Sequence, residues 1–196
     1  MKKKITCLMA LLCCLVMLLG SFASYADTYT YNIDGEPMNS PDAYQAHAQI
    51  TSSQMGLKKA LSYPSDIKAD SDGNVYIADP ENDRVVVLDK NYKLKFEITT
   101  FTNSNGVEGD ALAGCKGVFV WEGLESTEDG GYVNSKYIYV ADTENRRIVI
   151  FDKDGKYLRH LDAPSSDIFE EGESYTPKAI AVSSSMRIYV VSTSTY

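Results

Sequence analysis

The sequence predicts an all-β fold built from repeated sheets of short strands, and three observations support this. Two near-copies of one pattern occur at residues 72–87 and 139–150, and a weaker third copy follows. The copies open at Pro64, Cys115 and Pro177, so the repeat is close to 50 residues long once an insertion in the second copy is set aside. Turn residues rich in Asp, Asn and Gly separate the apolar runs. Short strands at this period predict the blades of a β-propeller.

Residues 1–26 have the features of an export signal. Lys2 to Lys4 precede the apolar run 5–19, and Ser24-Tyr25-Ala26 offers the small residues of a cleavage site before Asp27. The alternative is an uncleaved anchor, because the run falls just short of a bilayer span. We expect cleavage, and a protein that is secreted or held at the cell surface.

The charge of the chain limits its partners. The full sequence has 19 basic and 27 acidic residues. Three of the basic residues and none of the acidic ones precede Asp27, so the processed chain would have a net charge of −11. Nucleic acids and anionic lipids require clustered Lys and Arg, so neither is an expected partner. After the signal, no apolar run is long enough for membrane insertion.

Three of the four cysteines lie in the signal, which leaves Cys115. A processed chain therefore has no intramolecular disulfide. Cys115 lies between Gly114 and Lys116 at the start of a predicted strand, and we interpret it as a small packed residue rather than a nucleophile.

Residues 27–62 form a segment ahead of the repeats, which we place at 63–196. Within this segment, 43–51 puts Tyr44, Ala46, Ala48 and Ile50 on one face, as a strand would. We predict that it is a strand that closes the ring of blades.

Each repeat contains a series of strands. In the first repeat we predict strands over 67–69, 75–78, 84–88 and 94–98, and the last of these alternates between apolar and polar residues like a half-exposed outer strand. The second repeat follows the same order, interrupted by the acidic, glycine-rich insertion 123–131. We predict that this insertion is a protruding, solvated hairpin tip.

The third repeat reaches only its second strand, so about two and a half blades are present. Because so few blades cannot close a ring, we expect the chain to be a fragment of a longer protein with further blades. The open ends of the stack would then expose rows of apolar side chains, for which we nominate Val85, Val87, Ile148 and Ile150.

The repeated pattern resembles the NHL repeat family. The residues that match are Asp-Gly-Asn-Val-Tyr-Ile-Ala-Asp at 72–79, Glu-Asn at 81–82 and Arg-Val-Val-Val at 84–87, and the pattern recurs at 139–150 and, weaker, at 188–192. The resemblance implies a β-propeller of four-stranded blades, of the six-bladed type found in secreted bacterial proteins. It implies little about activity, because the family includes binding platforms and a few enzymes.

An Asp and an Arg five residues apart recur in both full repeats. Asp79 and Asp142 end a predicted strand, while Arg84 and Arg147 begin the next one. These pairs could form a ring of ligand-binding charges or lock each blade internally. We favour blade locking, because a specific site does not need the same pair in every repeat. The third repeat departs from the pattern, with Ser192 at the Asp position.

No catalytic, cofactor-binding or metal-binding residue is assigned. Asp70, Asp72 and Asn74 alternate as calcium ligands do, but a short turn explains them without the ligand spacing of a calcium loop. His47 and His160 are the only histidines, too few for a three-histidine zinc site. The sequence has no nucleophile elbow and no P-loop.

These observations favour a non-catalytic interaction module outside the cytoplasm. Its partner would be an envelope protein or a glycan, with tyrosines and Trp121 available to stack on sugar rings. The alternative is a hydrolase or lyase that resembles propeller lactonases or amidating lyases, with metal ligands supplied by further blades. RNA binding, known in some intracellular NHL proteins, conflicts with the signal and the charge.

Overall fold

The computed structural model describes residues 29–39, 48–165 and 174–193. The predicted export signal and its cleavage site therefore lie outside the described residues. The chain divides into two units, one up to Gln49 and one from Ile50 onward. In the first unit a small hairpin pairs β1 (Tyr29–Tyr31) with β2 (Pro37–Asn39). No helix among the described residues has the length and apolar character needed to cross a bilayer.

A short helix follows directly after residues 43–51, where the ring-closing strand was predicted. Residues 43–47 of that strand lie outside the described residues, but 48–51 are not in a strand. Thr51 instead caps helix α1 (Ser52–Met55), since its side chain accepts a hydrogen bond from the Gln54 backbone N–H, and the Gln54 side chain accepts one from the Thr51 backbone N–H. Because this capping box stabilises a helix that starts at Ser52, Thr51 cannot continue a strand.

The first repeat forms a four-stranded antiparallel blade, as predicted. Its strands pair in chain order and are β3 (Asp66–Ala69), β4 (Val75–Asp79), β5 (Arg84–Leu88) and β6 (Leu94–Ile98). All five residues of β5 are buried, whereas β6 alternates between exposed polar residues and apolar residues that are partly or fully buried. The connection to the next blade contains the two-residue strands β7 (Thr100–Phe101) and β8 (Asp110–Ala111), which pair with each other.

The second repeat forms a blade with the same strand order. Its strands are β9 (Gly117–Ser126), β10 (Tyr132–Asp142), β11 (Arg147–Asp152) and β12 (Tyr157–Leu161). The insertion 123–131 is only partly the predicted loop. Residues 123–126 continue β9 and pair with 132–135 of β10, so only 127–131 form the tip. The alternating side chains of these residues suit a paired ribbon, and pairing satisfies their backbone groups.

The third repeat contributes the hairpin of β13 (Pro177–Val182) and β14 (Ile188–Ser192). The fold is thus nearly all β and consists of stacked antiparallel sheets, which agrees with the predicted propeller blades.

Apolar side chains fill the spaces between consecutive sheets. One core lies between the first and second blades, and a second core lies between the second blade and the third hairpin. The prediction that Val85, Val87, Ile148 and Ile150 line open ends is wrong, because all four are buried in these cores. A strand has two faces, and periodicity does not tell which one meets a neighbouring blade.

The outer face of the first blade is partly covered by the segment that follows α1. Leu57 is buried against Ile77, Val86 and Leu88, and Met55 and Leu61 pack against the same group. This segment therefore packs over strands β4, β5 and β6 of the first sheet.

Candidate functional site

Several loops of the second unit meet at one end of its sheets. Because adjacent strands are antiparallel, the start of β3, the β4–β5 loop, the connection before β9 and the β10–β11 loop all lie at this end. We call it the loop end, and define it by residues 59–65, 79–84, 110–116 and 142–147.

The first Asp/Arg pair flanks the β4–β5 loop, with Asp79 at the end of β4 and Arg84 at the start of β5. Arg84 Nε is 2.7 Å from Asp79 Oδ2, and both side chains are buried. The same oxygen accepts a hydrogen bond from the Asn82 side chain at 2.8 Å, while Oδ1 accepts one from the Ser62 backbone N–H at 2.7 Å. The buried carboxylate is therefore fully engaged by its own loop and by the chain that enters the blade.

The rest of the Arg84 guanidinium extends this network outward. It donates to Glu97 Oε1 on β6 at 3.0 Å and to the carbonyl of Lys59 at 2.7 Å. The Ala60 carbonyl accepts from both Arg84 and Asn82. One arginine thus joins the loop, the outer strand and the incoming segment.

The second blade repeats this arrangement almost atom for atom. Arg147 Nε is 2.7 Å from Asp142 Oδ2, Asn145 donates to the same oxygen at 2.9 Å, and the Ala113 backbone N–H donates to Oδ1 at 2.7 Å. The acidic partner differs, because Asp110 of β8 binds both terminal nitrogens of Arg147. Hydrogen bonds from Arg147 lower the pKa of Asp110 to about 2.

The structure brings together all four residues predicted as blade-locking pairs. Sequence reasoning did not find the other members of the networks, which are Asn82, Glu97, Asp110 and Asn145. The Asn three residues after each Asp was visible in the repeat and could have been found. Glu97 and Asp110 occupy different positions in their blades, so no periodic signal marks them. That the pairs serve stability rather than ligand binding stays a prediction.

The third hairpin lacks such a pair, as its sequence predicted. Ser192 stands at the Asp position, and its hydroxyl accepts a hydrogen bond from the Thr176 backbone N–H at 2.9 Å. The serine thus makes one of the contacts that the aspartates make to the incoming chain.

An open pocket of about 430 Å³ lies at the loop end between the first two blades. Its charged lining comes from Glu81, Asp83, Lys116 and Glu144, and the strongly exposed Tyr63 stands at its side. Asp83 is held in place because its carboxylate accepts a hydrogen bond from the Gly114 backbone N–H at 2.8 Å. The pocket therefore offers three carboxylates, one ammonium group and an aromatic ring to solvent.

A second charged cluster lies at the opposite end of the sheets. Lys136 Nζ is 2.6 Å from Asp70 Oδ2, 2.8 Å from Asp72 Oδ2 and 3.0 Å from Glu122 Oε1. One oxygen of each carboxylate lies within 4.8 Å of the others, close enough to hold a metal ion. The lysine ammonium takes the central position instead, so these carboxylates already have a cation.

This cluster joins the two blades. Burial alone would raise the pKa of Asp70, but hydrogen bonds from Lys136, Asn74 and Tyr76 outweigh it and lower the pKa to about 2. Glu122 of the second blade accepts hydrogen bonds from the backbone N–H and the hydroxyl of Ser71 in the first. The cluster is therefore an inter-blade contact carried by the extended part of the β9–β10 hairpin.

Neither Cys115 nor His160 lines the loop-end pocket. Cys115 is fully buried between the first two blades, its thiol donates to the Arg84 carbonyl, and burial raises its pKa to about 12. His160 lies on the outer strand β12, where its Nδ1 is 2.7 Å from the Tyr157 hydroxyl. His47 lies outside the described residues.

The predicted role of Trp121 in sugar stacking is wrong. The indole is buried in the core between the second blade and the third hairpin, stacks on Tyr137, and donates its N–H to the Ser183 carbonyl at 3.0 Å. Because the Trp121 ring is packed inside this core, a sugar cannot stack on it.

Comparison with known proteins agrees with the repeat pattern. The family model of the NHL repeat matches residues 61–88, which include β3, β4 and β5 of the first blade. No curated protein matches the chain. Residues 61–88 of the chain are therefore an NHL repeat.

Proposed function

We propose that this chain is an exported, non-catalytic module that binds a basic surface of another protein at the cell envelope through its loop end. NHL repeats are associated with β-propellers that serve as protein-interaction modules. The observation that carries the proposal is the group of exposed side chains around the loop-end pocket, held on loops that the buried Asp/Arg networks fix to the blades.

The rigidity of these loops favours binding. A loop that is ordered before a partner arrives loses less conformational entropy on binding, so more of the contact energy appears as affinity. Asp79 and Arg84 tie the β4–β5 loop to the incoming segment, and this loop carries Glu81 and Asp83. Asp142 and Arg147 do the same for the loop that carries Glu144.

The chemistry of the pocket indicates the kind of partner. Glu81 and Glu144 are exposed, and neither side chain makes a hydrogen bond or salt bridge within the part of the chain described here. Three carboxylates against Lys116 alone favour a cationic partner, and exposed tyrosine is a frequent anchor of protein interfaces. A protein fits better than a glycan, because Trp121 is buried.

The binding proposal is tested by capture from an envelope extract of the producing organism. We expect a protein that is retained by the immobilised wild-type chain, eluted by moderate salt, and lost with Tyr63→Ala and with Glu81→Lys combined with Glu144→Lys. Tyr132→Ala is a matched control, because Tyr132 is similarly exposed but lies on the β9–β10 hairpin at the opposite end. Retention unaffected by the loop-end changes, or lost with Tyr132→Ala, contradicts the proposal. Retained material that is sensitive to periodate but not to protease would make the partner a glycan.

Export is tested separately. When the chain is expressed with its native N-terminus in a bacterial host, we expect to recover it outside the cytoplasm with Asp27 as its first residue. An intact chain from Met1 in the cytosol would contradict this.

A further inference from the structure

Tyr63 has a backbone conformation that bulky residues rarely adopt. Its φ is 51°, in the left-handed region, where a side chain crowds the backbone and glycine alone is unrestricted. The equivalent residue of the second blade is a glycine, Gly114, with a φ of 54°. The equivalence follows from the Asp/Arg networks, because the preceding backbone N–H, from Ser62 or Ala113, binds the aspartate of its own blade. The first blade therefore carries a tyrosine at a position that suits glycine.

The tyrosine ring does not offset this strain by packing. Tyr63 is 83% exposed and belongs to none of the apolar cores formed by the described residues. Strain alone does not mark a site, because Tyr92, with a φ of 59°, also stands where the second repeat has a glycine, Gly155. Tyr92 lies on the β5–β6 turn at the opposite end of the sheet, whereas Tyr63 lines the loop-end pocket. The location of Tyr63, together with its strain and exposure, indicates a role in binding.

The side chain of Tyr63 lies over its own blade. At Gly114, an added Cβ would be 2.7 Å from Cγ of Glu144, which belongs to the β10–β11 loop of the same blade. The equivalent of Glu144 in the first blade is Glu81, which lines the pocket beside Tyr63. The walls of this pocket come from the first and second blades, and the structure describes both. The surroundings of the ring on the pocket side are therefore present.

We propose that Tyr63 is the residue through which the loop-end pocket selects an arginine side chain of its partner, and that the chain keeps this tyrosine at a cost in stability. The inference rests on the proposed function and specifies what the pocket binds. A planar guanidinium can stack on an aromatic ring while the N–H groups at its edge reach two carboxylates. Glu81 of the first blade and Glu144 of the second supply these carboxylates.

Other side chains fit this pocket less well. A lysine ammonium is a compact and strongly hydrated charge that cannot stack as a flat group. An apolar side chain would remove water from Glu81, Asp83 and Glu144 without pairing them, and burying unpaired charge is unfavourable. An anionic group would meet the same three carboxylates as like charges, with Lys116 as its one attraction. Arginine is the side chain whose shape and charge both match the lining.

Thermal unfolding measures the cost of keeping Tyr63. Tyr63→Gly should raise the melting temperature by about 2–4 °C, because glycine adopts this φ without strain and the ring packs against little. Tyr92→Gly is the matched control for strain, and it should also raise the melting temperature. A Tyr63→Gly variant that melts below the wild type would show that the ring stabilises the fold, which overturns the proposal.

Binding is measured with a synthetic peptide, acetyl-Gly-Gly-Arg-Gly-Gly-amide, added at low salt to the isotope-labelled protein and followed by NMR. We expect the backbone signals of Glu81, Asp83 and Gly114 to shift and saturate. Tyr63→Gly should weaken this binding about tenfold through loss of the stacked cation, and Tyr92→Gly should leave it unchanged. A peptide with lysine should bind more weakly, and one with norleucine should not bind.

Three results of the peptide experiment would overturn the proposal. They are a wild type whose pocket signals do not respond, equal affinity for the lysine and arginine peptides, and an arginine affinity that Tyr63→Gly does not change. The proposed function fails in a different way. If the arginine peptide binds as expected but the envelope extract yields no protein, arginine selection stands and the proposed function does not. If a protein is captured through the loop end but the arginine peptide does not bind, the reverse holds.

Discussion

Gly117 of the second blade lies directly against the backbone of Lys178 at the start of the third hairpin. A Cβ added to Gly117 would be 2.5 Å from the Lys178 carbonyl oxygen and 3.1 Å from the Ala179 Cα. The crowding atoms belong to the backbone, so a flexible side chain cannot relieve it. The inner strands of consecutive sheets therefore approach more closely here than any residue with a side chain allows.

Gly117→Ala should destabilise the protein by about 1–3 kcal/mol, the usual cost of overpacking a well-packed core. Thermal and urea unfolding measure the effect, and Gly117→Val should be worse than Gly117→Ala because it adds more volume. An alanine variant that melts with the wild type would show that the two sheets separate easily at this point.

Asp142→Ala should reduce the free energy of unfolding by about 1–3 kcal/mol, because Arg147, Asn145 and the Ala113 N–H lose a buried charged acceptor. Asp154→Ala serves as the control, since Asp154 is exposed and pairs only with the neighbouring Lys153. It should change stability by less than about 0.5 kcal/mol. Loss of partner binding with an unchanged melting temperature would mean that Asp142 belongs to a ligand site.

Acid should weaken the protein partly through Asp110. The pKa of this carboxyl group, about 2 in the folded protein, lies below its ordinary value of 3.8. The folded protein therefore binds this proton less tightly than the unfolded chain does. The stability contributed by the ionised group is complete above about pH 5 and is lost as the pH falls through 4 to 2.

The variant Asp110→Asn isolates this effect. It should be less stable than the wild type at pH 7, and the difference in free energy of unfolding should shrink as the pH falls toward 2. Denaturation with urea at a series of pH values measures both quantities. A difference that stays constant over this range would show that the ionised form of Asp110 contributes nothing to stability.

Lys136→Met should destabilise the protein by about 3 kcal/mol, because breaking a buried ion pair leaves uncompensated charge. Asp70 is buried and would face Asp72 and Glu122 without the ammonium group. Part of the loss should be recovered near pH 4, where carboxylates begin to take up protons.

Lys153→Met is the matched control for Lys136. Lys153 lies at the same end of the sheets and pairs with Asp154, but both side chains are well exposed. Such surface pairs contribute about 0–1 kcal/mol. Equal effects of the two substitutions on the urea midpoint would contradict a special role for the inter-blade cluster.

The strand pattern could be predicted from the sequence because it is local. Strands β5 and β6 begin and end where apolar alternation and turn residues place them, since neighbouring residues decide both. The pairing of Asp79 with Arg84 and of Asp142 with Arg147 was also predictable, because each pair spans only five residues and recurs.

The sequence alone therefore determined the repeat, the order of strands within each blade and the short-range Asp/Arg pairs. Only the tertiary structure decided which faces of these strands are buried, that Trp121 lies in a core, and that Lys136 meets Asp70 across 66 residues of chain. The physical reason is that alternation along a strand defines two faces without naming the neighbour of either. Val85 and Tyr189 both stand in apolar runs that predict strands. A neighbouring sheet packs against Val85 and buries it, whereas Tyr189 is exposed.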